Sequence, residues 1–465
     1  MVFGGWQGRT GPRYRRLSAA LLDAVDRRVL VAGTRVPAER QLAAAVGASR
    51  GTVVASFEEL VTAGVLRRQV GAGTFVVGRP SWAAPVSAGL LTRSGNGARP
   101  GDGGWSGDGG AWGDLGGINL AVGCPGDLSH LPYVDAGAAW AGLDGHGVDP
   151  RGLRSLREAV ARHLTEHQQL PTVAEQIVIT AGAQEALFLL GRVLRPERVA
   201  ASCPTYPGLS RAFGSGRVVG GTGDDTRALS RYGMAYVIPT GHNPVGSVMP
   251  GLWRQGLAAV ADAGRCVIVE DLALCDLVLD GGIVPQPVAA LSPSVIAVGS
   301  VAKLLWGGLR VGWIRAESAP LLELVAEAKS RLNGGTSAVA QGVAGALLSA
   351  IDTSWLVGYR DALRGRRDLL CGLLAEALPG WRVVVVPMAG MSVWVRLPVA
   401  DAAAFAHVAS RFGVMVAAGA DACVCSEHHG YVRLSFALPA QELRVAVERL
   451  AAAWEVHAQN LAAGV

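Results

Sequence analysis

Lysine is rare in this chain, so any chemistry that requires a lysine is easy to locate. The 465 residues include two lysines, Lys303 and Lys329. Lys303 follows an apolar run typical of a buried strand, and Ser300 and Arg310 flank it. A primary amine held there could form a Schiff base with an aldehyde, while the hydroxyl and guanidinium could bind a phosphate. Lys329 lies in a polar helical stretch, where we expect a solvated surface side chain.

A carboxylate lies where a bound ring would need one. Asp271 ends an apolar run, and α/β proteins bind ligands at the carboxyl ends of their strands. Its charge could keep a pyridine nitrogen protonated. Glu270 and Asp276 are alternative carboxylates, and Asp271 could instead cap the next helix.

Three further motifs complete the set. A strand–turn–helix junction would leave the backbone N–H groups of Ala183 and Gln184 free to bind phosphate. Tyr206 could stack on a ring, and Asn243 could donate to a phenolate oxygen. Each motif has an ordinary alternative, namely a tight turn, a core tyrosine and an Asn-Pro turn. With the lysine and the carboxylate, they match the groups that pyridoxal 5'-phosphate requires.

The first 80 residues carry a different signal. They contain twelve Arg, five acidic residues and no Lys, a charge of +7 against +5 for the whole chain. Residues 13–78 predict helices followed by a hairpin, the order of a winged helix-turn-helix. A protein-docking module is the alternative, but phosphate contacts favour this charge. The candidate contacts to double-stranded DNA are Arg35, Arg40, Ser49, Arg50, Thr52 and Gly73.

The rest of the chain divides into two segments. Residues 79–117 are rich in Gly and Pro, which predicts a flexible linker. Over residues 118–456, short β-rich runs alternate with helical stretches and predict an α/β body around a mostly parallel central sheet. Beyond about residue 333 the pattern predicts a smaller α+β C-terminal lobe. The expected fold class is therefore multidomain, with a winged helix-turn-helix head and this α/β body.

Both parts resemble known families. The runs VPAERQLA at 36–43, GASRGTV at 47–53 and GAGTFV at 71–76 resemble the GntR winged helix-turn-helix. This resemblance implies dimeric DNA binding. The ordered clusters of the body resemble the fold-type I aminotransferases, which bind pyridoxal 5'-phosphate. That resemblance implies Lys303 as the Schiff-base lysine, Asp271 as the pyridinium partner and Arg433 as the clamp of a ligand carboxylate. It also implies ring contacts from Tyr206 and Asn243, and phosphate contacts from Ala183, Gln184, Ser300 and Arg310.

A GntR head followed by an aminotransferase-like body resembles the MocR-type regulators. The resemblance implies a head-to-tail homodimer whose body senses the cofactor or a small amino compound and has no net catalysis. An active aminotransferase and a cofactor-free dimerisation body are the alternatives. Ala273 and Gly147 stand where the aminotransferases often carry tyrosines, and His146 could replace the second. Each lost hydrogen bond would weaken cofactor binding by about 1.5–3 kcal/mol.

Several functions are disfavoured by the remaining sequence. We expect no membrane span and no signal peptide, and therefore a cytoplasmic protein. The seven cysteines are expected to be free thiols. The spacing of Cys423, Cys425 and the His428-His429 pair matches no usual ligand set, so we expect an ordinary surface loop and no metal.

Overall fold

The computed structural model describes residues 6, 12–26, 29–30, 34–62, 65–69, 73–76, 117–126, 128–140, 143, 146–220, 226–282 and 284–463. The described residues form two compact units, one within Met1–Ala98 and one within Arg99–Val465. The predicted linker lies outside the described residues, apart from its last residue. So do Gly71 and Ala72 of the wing.

The N-terminal unit consists of three helices and a small antiparallel sheet. Leu17, Leu42 and Phe57, one from each helix, are buried in a common core. Ser49 accepts a hydrogen bond of 3.1 Å from the N–H of Thr52 and so caps the third helix. The winged helix-turn-helix prediction is confirmed. Its elements are α1 (Arg13–Asp26), β1 (Arg35–Val36), α2 (Glu39–Val46), α3 (Arg50–Thr62), β2 (Leu66–Gln69) and β3 (Gly73–Val76), with β3 in the middle of the sheet.

Seven strands form the central sheet of the C-terminal unit. They follow β4 (Ile118–Asn119) along the chain and are β5 (Ile177–Thr180), β6 (Val199–Ala201), β7 (Val218–Gly220), β8 (Met234–Val237), β9 (Val267–Asp271), β10 (Ile296–Ser300) and β11 (Gly312–Arg315). Their order across the sheet is β5-β11-β10-β9-β8-β6-β7. β11 is antiparallel to both neighbours, and the remaining neighbours are parallel. The prediction of a mostly parallel sheet is confirmed.

Helices cover both faces of this sheet. Alternate strand residues enter opposite cores, with Ile177 and Ile179 on one face and Val178 on the other. The helices of the C-terminal unit are α4 (Ala136–Trp140), α5 (Arg154–His167), α6 (Ala183–Leu194), α7 (Gly208–Phe213), α8 (Gly251–Asp262), α9 (Val288–Leu291), α10 (Ala319–Asn333), α11 (Ala338–Ser349), α12 (Thr353–Ala377), α13 (Ala403–Arg411) and α14 (Ala440–Ala463). α6, α7 and α10 share one core, whereas α5, α8, α11 and α12 contribute to the other. Within the described residues, no helix is both long and apolar enough to cross a bilayer.

The C-terminal part of this unit adds a second, antiparallel sheet. It contains β12 (Arg382–Val383), β13 (Ser392–Arg396), β15 (Ala417–Ala418) and β16 (Tyr431–Ser435), in the order β12-β13-β16-β15. β14 (Val414–Met415) pairs in parallel with β4. This pairing brings the segment that follows β4 beside the second sheet, and the segment then enters the site described below.

Candidate functional site

The loops after five parallel strands meet at one edge of the central sheet. The carboxyl ends of β5, β6, β8, β9 and β10 lead to the predicted Gln184, Tyr206, Asn243, Asp271 and Lys303, respectively. Parallel strands bring such loops together because all of these strands point the same way. β11 runs in the opposite direction and begins at this edge, so it brings Arg310 to the same place.

Lys303 points inward from the turn after β10. Its Nζ donates to the carbonyl oxygen of Gly123 at 2.7 Å and to the sulfur of Cys124 at 3.2 Å. The hydroxyl of Tyr359 donates to the carbonyl oxygen of Lys303 at 3.3 Å and so stabilises the turn. His130 stacks on Tyr359 with ring centroids 4.8 Å apart. The amine is therefore half-buried and held by polar contacts.

Asp271 is the last residue of β9 and is buried. The hydroxyl of Tyr236 donates to one carboxylate oxygen, and the N–H of Ala273 donates to the other at 2.8 Å. Burial raises the pKa of the Asp271 carboxyl, although these two donors and the charge of Lys303 act in the opposite direction. A cationic ring nitrogen beside it would favour the ionised form.

The two alternative carboxylates have other partners. Both oxygens of Glu270 accept backbone N–H groups at the start of α9, at 2.9 and 2.8 Å. Asp276 accepts from His163 at 3.0 Å and from Gln168 at 2.8 Å. Neighbouring residues of a strand face opposite sides, so Glu270 points away from Asp271. Asp271 is the carboxylate whose charge interacts with Lys303.

A candidate anion cradle lies at the start of α6. The first N–H groups of this helix, including those of Ala183 and Gln184, have no acceptor within the helix by its geometry. Arg310 donates to the carbonyl oxygen of Ala181 at 2.9 Å, and Ser300 is buried beside β11. The helix N-terminus and the guanidinium both favour a bound anion. These residues have the donor set that a phosphate requires.

Close packing of glycines shapes this cradle. A Cβ atom on Gly312 would lie 2.5 Å from the carbonyl oxygen of Gly299 and 2.7 Å from the Cα of Gly182. Only glycine fits there without moving the neighbouring backbone. The turn at Gly182 can therefore lie directly against the start of β11.

The expectation for Lys329 is wrong. Its side chain is fully buried, and its Nζ forms an ion pair of 2.7 Å with Glu185. The same carboxylate accepts the N–H of Ala181, which lies in the turn that carries the anion cradle. Sequence alone could not reveal this pair because its members are 144 positions apart. Lys329 therefore stabilises the turn indirectly, because it fixes the carboxylate that binds the N–H of Ala181.

Tyr206 lies among the charged groups of the site. Its hydroxyl donates to the side-chain oxygen of Gln184 at 3.2 Å. Burial is the main cause of its raised pKa, and the charges of Lys303, Asp271 and Arg433 also act on it. The hydrogen bond places Tyr206 beside the start of α6.

Arg433 is held from two sides and keeps one buried donor without an acceptor. It projects from β16 and donates to the side-chain oxygen of Asn243 at 3.1 Å and to the carbonyl oxygen of Ala121 at 2.6 Å. Its Nε is buried, with no hydrogen-bond partner among the described residues. Burial lowers the pKa of its guanidinium. The group is thus oriented and incompletely satisfied, a state that a ligand carboxylate would relieve.

Sequence reasoning missed several residues of this site. The segment after β4 supplies Ala121, Gly123 and Cys124 between Lys303 and Arg433. Tyr236, the partner of Asp271, is an inner-strand tyrosine with no distinctive motif. Of the two positions that depart from the aminotransferase pattern, Ala273 contributes its N–H to Asp271, whereas Gly147 is exposed next to His146.

The predicted DNA-contacting side chains share the surface of the N-terminal unit. Arg35, Arg40, Ser49 and Arg50 are exposed, and Thr52 is half-exposed. A Cβ on Gly73 would lie 2.9 Å from Nε of Arg35, so glycine leaves room for that side chain.

One acidic residue organises two arginines of this surface. Glu39 lies 3.5 Å from the guanidinium of Arg50 and 3.4 Å from that of Arg68. Arg68 was not among the predicted DNA contacts. It lies in β2 of the wing, and through Glu39 it is held near Arg50 at the start of the recognition helix.

The loop that contains Cys423 and Cys425 has an unexpected neighbour. Cys203, which precedes Tyr206 in the loop after β6, accepts the N–H of Val424 at 3.3 Å. The sequence could not indicate this proximity because Cys203 and Val424 are 221 positions apart. The segment is a partly exposed loop that also contacts the loop after β6, a contact the sequence did not predict.

Comparison with known proteins identifies both units. The family model "Bacterial regulatory proteins, gntR family" matches residues 13–76, and "Aminotransferase class I and II" matches residues 131–222 and 225–450. The chain is 28% identical over 416 residues to the uncharacterized HTH-type transcriptional regulator YisV of Bacillus subtilis, covering 83% of this chain and 84% of YisV. It is also 28% identical over 339 residues to the HTH-type pyridoxine biosynthesis transcriptional regulator PdxR of Corynebacterium glutamicum. That match covers 70% of this chain and 70% of PdxR.

A solved structure extends this likeness to the fold. LysN is an alpha-aminoadipate aminotransferase of Thermus thermophilus, crystallised with N-(5'-phosphopyridoxyl)-L-leucine. It matches with a TM-score of 0.64 and 26% identity over 73% of this chain and 92% of LysN. The body therefore has the fold-type I aminotransferase architecture. The chain belongs to the MocR-type transcription regulators, in which a GntR-type DNA-binding head is joined to a domain of the aminotransferase class I and II family.

Proposed function

We propose that this regulator binds pyridoxal 5'-phosphate covalently through Lys303 and responds to a small amino compound. The observation that carries the proposal is the arrangement around Arg433. Nε of Arg433 is buried and has no partner among the described residues, and Asn243 and the segment of Ala121 and Gly123 link this guanidinium to the loops that carry the half-buried lysine amine, the buried carboxylate and the aromatic ring. This arrangement is costly for folding, since each unsatisfied buried donor costs about 1–3 kcal/mol. A ligand that carries a carboxylate would offset that cost.

The residues present fit the cofactor group by group. Asp271 would face the ring nitrogen, Tyr206 would lie against the ring and Asn243 would donate to the phenolate oxygen. Ala183, Gln184, Ser300 and Arg310 would hold the phosphate. When bound, the cofactor supplies an aldehyde that bonds reversibly to amines. Each role agrees with the observed position of the side chain in the loops at the sheet edge.

The effector class follows from the same groups. A compound with a primary amine could compete with Lys303 for the aldehyde, and its carboxylate would bind Arg433. Since Asn243 and Ala121 fix the direction of the guanidinium, ligands with a suitable amine–carboxylate separation are favoured. An effector changes DNA binding only if it stabilises one arrangement of the protein over another.

On the DNA side, we propose that Ser49, Arg50 and Thr52 contact bases or adjacent phosphates from the start of α3. Arg35, Arg40 and the wing around Gly73 would contact the phosphate backbone and the minor groove. Two such heads in a head-to-tail homodimer would bind two half-sites. Because a GntR-type head binds DNA, we place the protein in the cytoplasm as part of this proposal.

Efficient transamination is not part of this proposal. It would need proton transfer and repeated ligand exchange, and Ala273 and Gly147 lack two hydroxyls that the aminotransferases often supply. An active aminotransferase is the second candidate, favoured by the retention of Lys303 together with the oriented Arg433. Turnover of an amino acid with a keto acid by the purified protein would distinguish it.

The test is DNA binding by the full chain, loaded with pyridoxal 5'-phosphate, to its own promoter region during titration with amino acids. We expect at least one amino acid to change the affinity or the footprint of the wild type. Lys303→Ala should still bind DNA but should lose this response. A Lys303→Ala protein with an unchanged response would refute the proposal.

A further inference from the structure

We propose that Cys203, Cys423, Cys425 and His428 form a binding site for one zinc ion. The site is separate from the proposed cofactor contacts and does not depend on them. One sulfur or nitrogen atom from each residue lies within 4.8 Å of every other. Three thiols and an imidazole are the donor set of closed, structural zinc sites.

The distances between these atoms match a tetrahedron around zinc. With Zn–S about 2.3 Å and Zn–N about 2.0–2.1 Å, tetrahedral geometry requires S···S separations of about 3.8 Å and S···N separations of about 3.5 Å. Nδ1 of His428 lies 3.6, 3.5 and 4.0 Å from the sulfurs of Cys203, Cys423 and Cys425, respectively. Cys423 lies 3.6 Å from Cys203 and 3.9 Å from Cys425, sulfur to sulfur. Five of the six edges therefore fit.

The sixth edge is short, with 2.7 Å between the sulfurs of Cys203 and Cys425. Cys425 is the exposed member of the group and lies on a loop. An outward shift of its sulfur by about 1 Å would complete the tetrahedron. The same exposure gives a metal ion access from solvent. Oxidation of this pair to a disulfide is the competing chemistry, and the experiment below distinguishes it.

The surroundings are organised as a thiolate site requires. The N–H of Val424 donates to the sulfur of Cys203 at 3.3 Å. Hydrogen bonds from N–H groups stabilise the negative charge of thiolate ligands.

Aromatic packing orients the imidazole. The His428 ring packs edge-on against Tyr431, with centroids 5.3 Å apart, and Tyr431 is stacked on Trp394. The ligand nitrogen is therefore held in place before any metal arrives.

The location suggests what the ion does. Cys203 belongs to the loop that carries Tyr206, whereas the other three ligands lie in the segment that leads into β16 and Arg433. Besides the bond from Val424 to Cys203, the N–H of Thr205 donates to the carbonyl oxygen of Ala422 at 2.8 Å and joins the same two segments. A zinc ion would fasten the central sheet to the second sheet at the side of the site, and so stabilise the relative positions of Tyr206 and Arg433.

The experiment measures metal binding by the full chain, purified under reducing conditions. Zinc content is determined by elemental analysis, and the cobalt-substituted protein is examined for the absorption of a tetrahedral thiolate complex. Cys203→Ser and His428→Ala remove ligands. Cys371→Ser and His429→Ala are the matched controls, because they remove a thiol and an imidazole that lie outside the cluster.

We expect about one zinc per wild-type chain and a cobalt spectrum typical of tetrahedral thiolate ligation. Each ligand variant should lose at least the roughly 10–100-fold in affinity that removal of even a supporting contact costs. The control variants should bind like the wild type. The wild-type cobalt spectrum is itself decisive if a ligand variant fails to fold.

Three results would overturn the proposal. One is a reduced wild-type protein that neither contains zinc nor binds added zinc or cobalt. Another is a cobalt spectrum without thiolate ligation. The third is a Cys203–Cys425 disulfide that persists under the reducing conditions, since it would leave too few thiolates for the site.

Discussion

Replacement of Arg433 by glutamine should separate ligands that carry a carboxylate from those that do not. The guanidinium donates to Asn243 and Ala121 and retains one buried donor, Nε, without a partner among the described residues. The amide of glutamine can keep one of these hydrogen bonds but carries no charge. The variant therefore removes the proposed carboxylate clamp while it changes the volume of the side chain only moderately.

The expected effect follows from the hydrogen bonds at stake. A hydrogen bond between charged groups contributes about 1.5–3 kcal/mol, so the loss of one such bond should weaken binding about 10- to 150-fold. Nε of Arg433 is buried, so a hydrogen bond from it to a ligand would be little weakened by water, and the upper part of this range is expected.

The assay is a spectroscopic titration of the protein loaded with pyridoxal 5'-phosphate. Each of several amino acids is compared with the amine that has the same carbon chain but no carboxylate. Arg433→Gln should weaken the binding of the amino acids and leave that of the plain amines nearly unchanged. Equal weakening of both classes would mean that the variant merely distorts the site, and no weakening of either would refute the clamp.

Three further predictions concern the head, the core and the cradle. Arg50→Ala should weaken operator binding by about 1–3 kcal/mol and relax the preference for the operator sequence. Arg40→Ala should weaken binding to every DNA sequence alike, and it should lower by about one the slope of the logarithm of the binding constant against the logarithm of salt concentration. Both are measured by fluorescence anisotropy at several salt concentrations. Equal behaviour of these two variants would contradict the assignment of the recognition helix. Burial raises the pKa of Glu270 from 4.5 to about 7. Folding therefore favours the protonated carboxyl, and the free energy of unfolding should fall as the pH rises from about 4.5 to about 7. The melting temperature of the wild type should fall over this pH range relative to that of Glu270→Gln. Melting temperatures of the two proteins that change in parallel with pH would contradict the prediction. Gly312→Ala should destabilise the body by about 1–3 kcal/mol, because the added methyl meets backbone in β10 and the α6 turn; an unchanged thermal transition would show that the cradle is less tightly packed than described.

Much of the architecture could be predicted because its signals are local. The recognition helix begins where Ser49 can cap it, and strands such as Ile177–Thr180 are continuous apolar runs bounded by turns. Asp271, expected at the end of an apolar run, is the last residue of β9. The antiparallel direction of β11 has no local signal, since it depends on a tertiary path back across the sheet.

The candidate site was predictable where a residue type is chemically distinctive and rare. Lys303 is one of two lysines, and Asp271 ends an apolar strand. The rest depends on contacts between distant segments. Lys329 was expected at the surface because its sequence neighbours are polar, yet it is buried by its pairing with Glu185. Cys203 could not be assigned to the Cys423 loop because only the folded chain brings them together.

The most direct test of the central claim is to identify the lysine that carries pyridoxal 5'-phosphate. The protein is incubated with the cofactor, its visible absorption is recorded, borohydride is added to make the bond permanent, and the peptides are analysed by mass spectrometry. Because the chain has two lysines, the result is unambiguous. We predict a visible band in the wild type, its absence in Lys303→Ala, and the phosphopyridoxyl group on the peptide that contains Lys303. Absence of the band from the wild type, or a label on Lys329, would contradict the account.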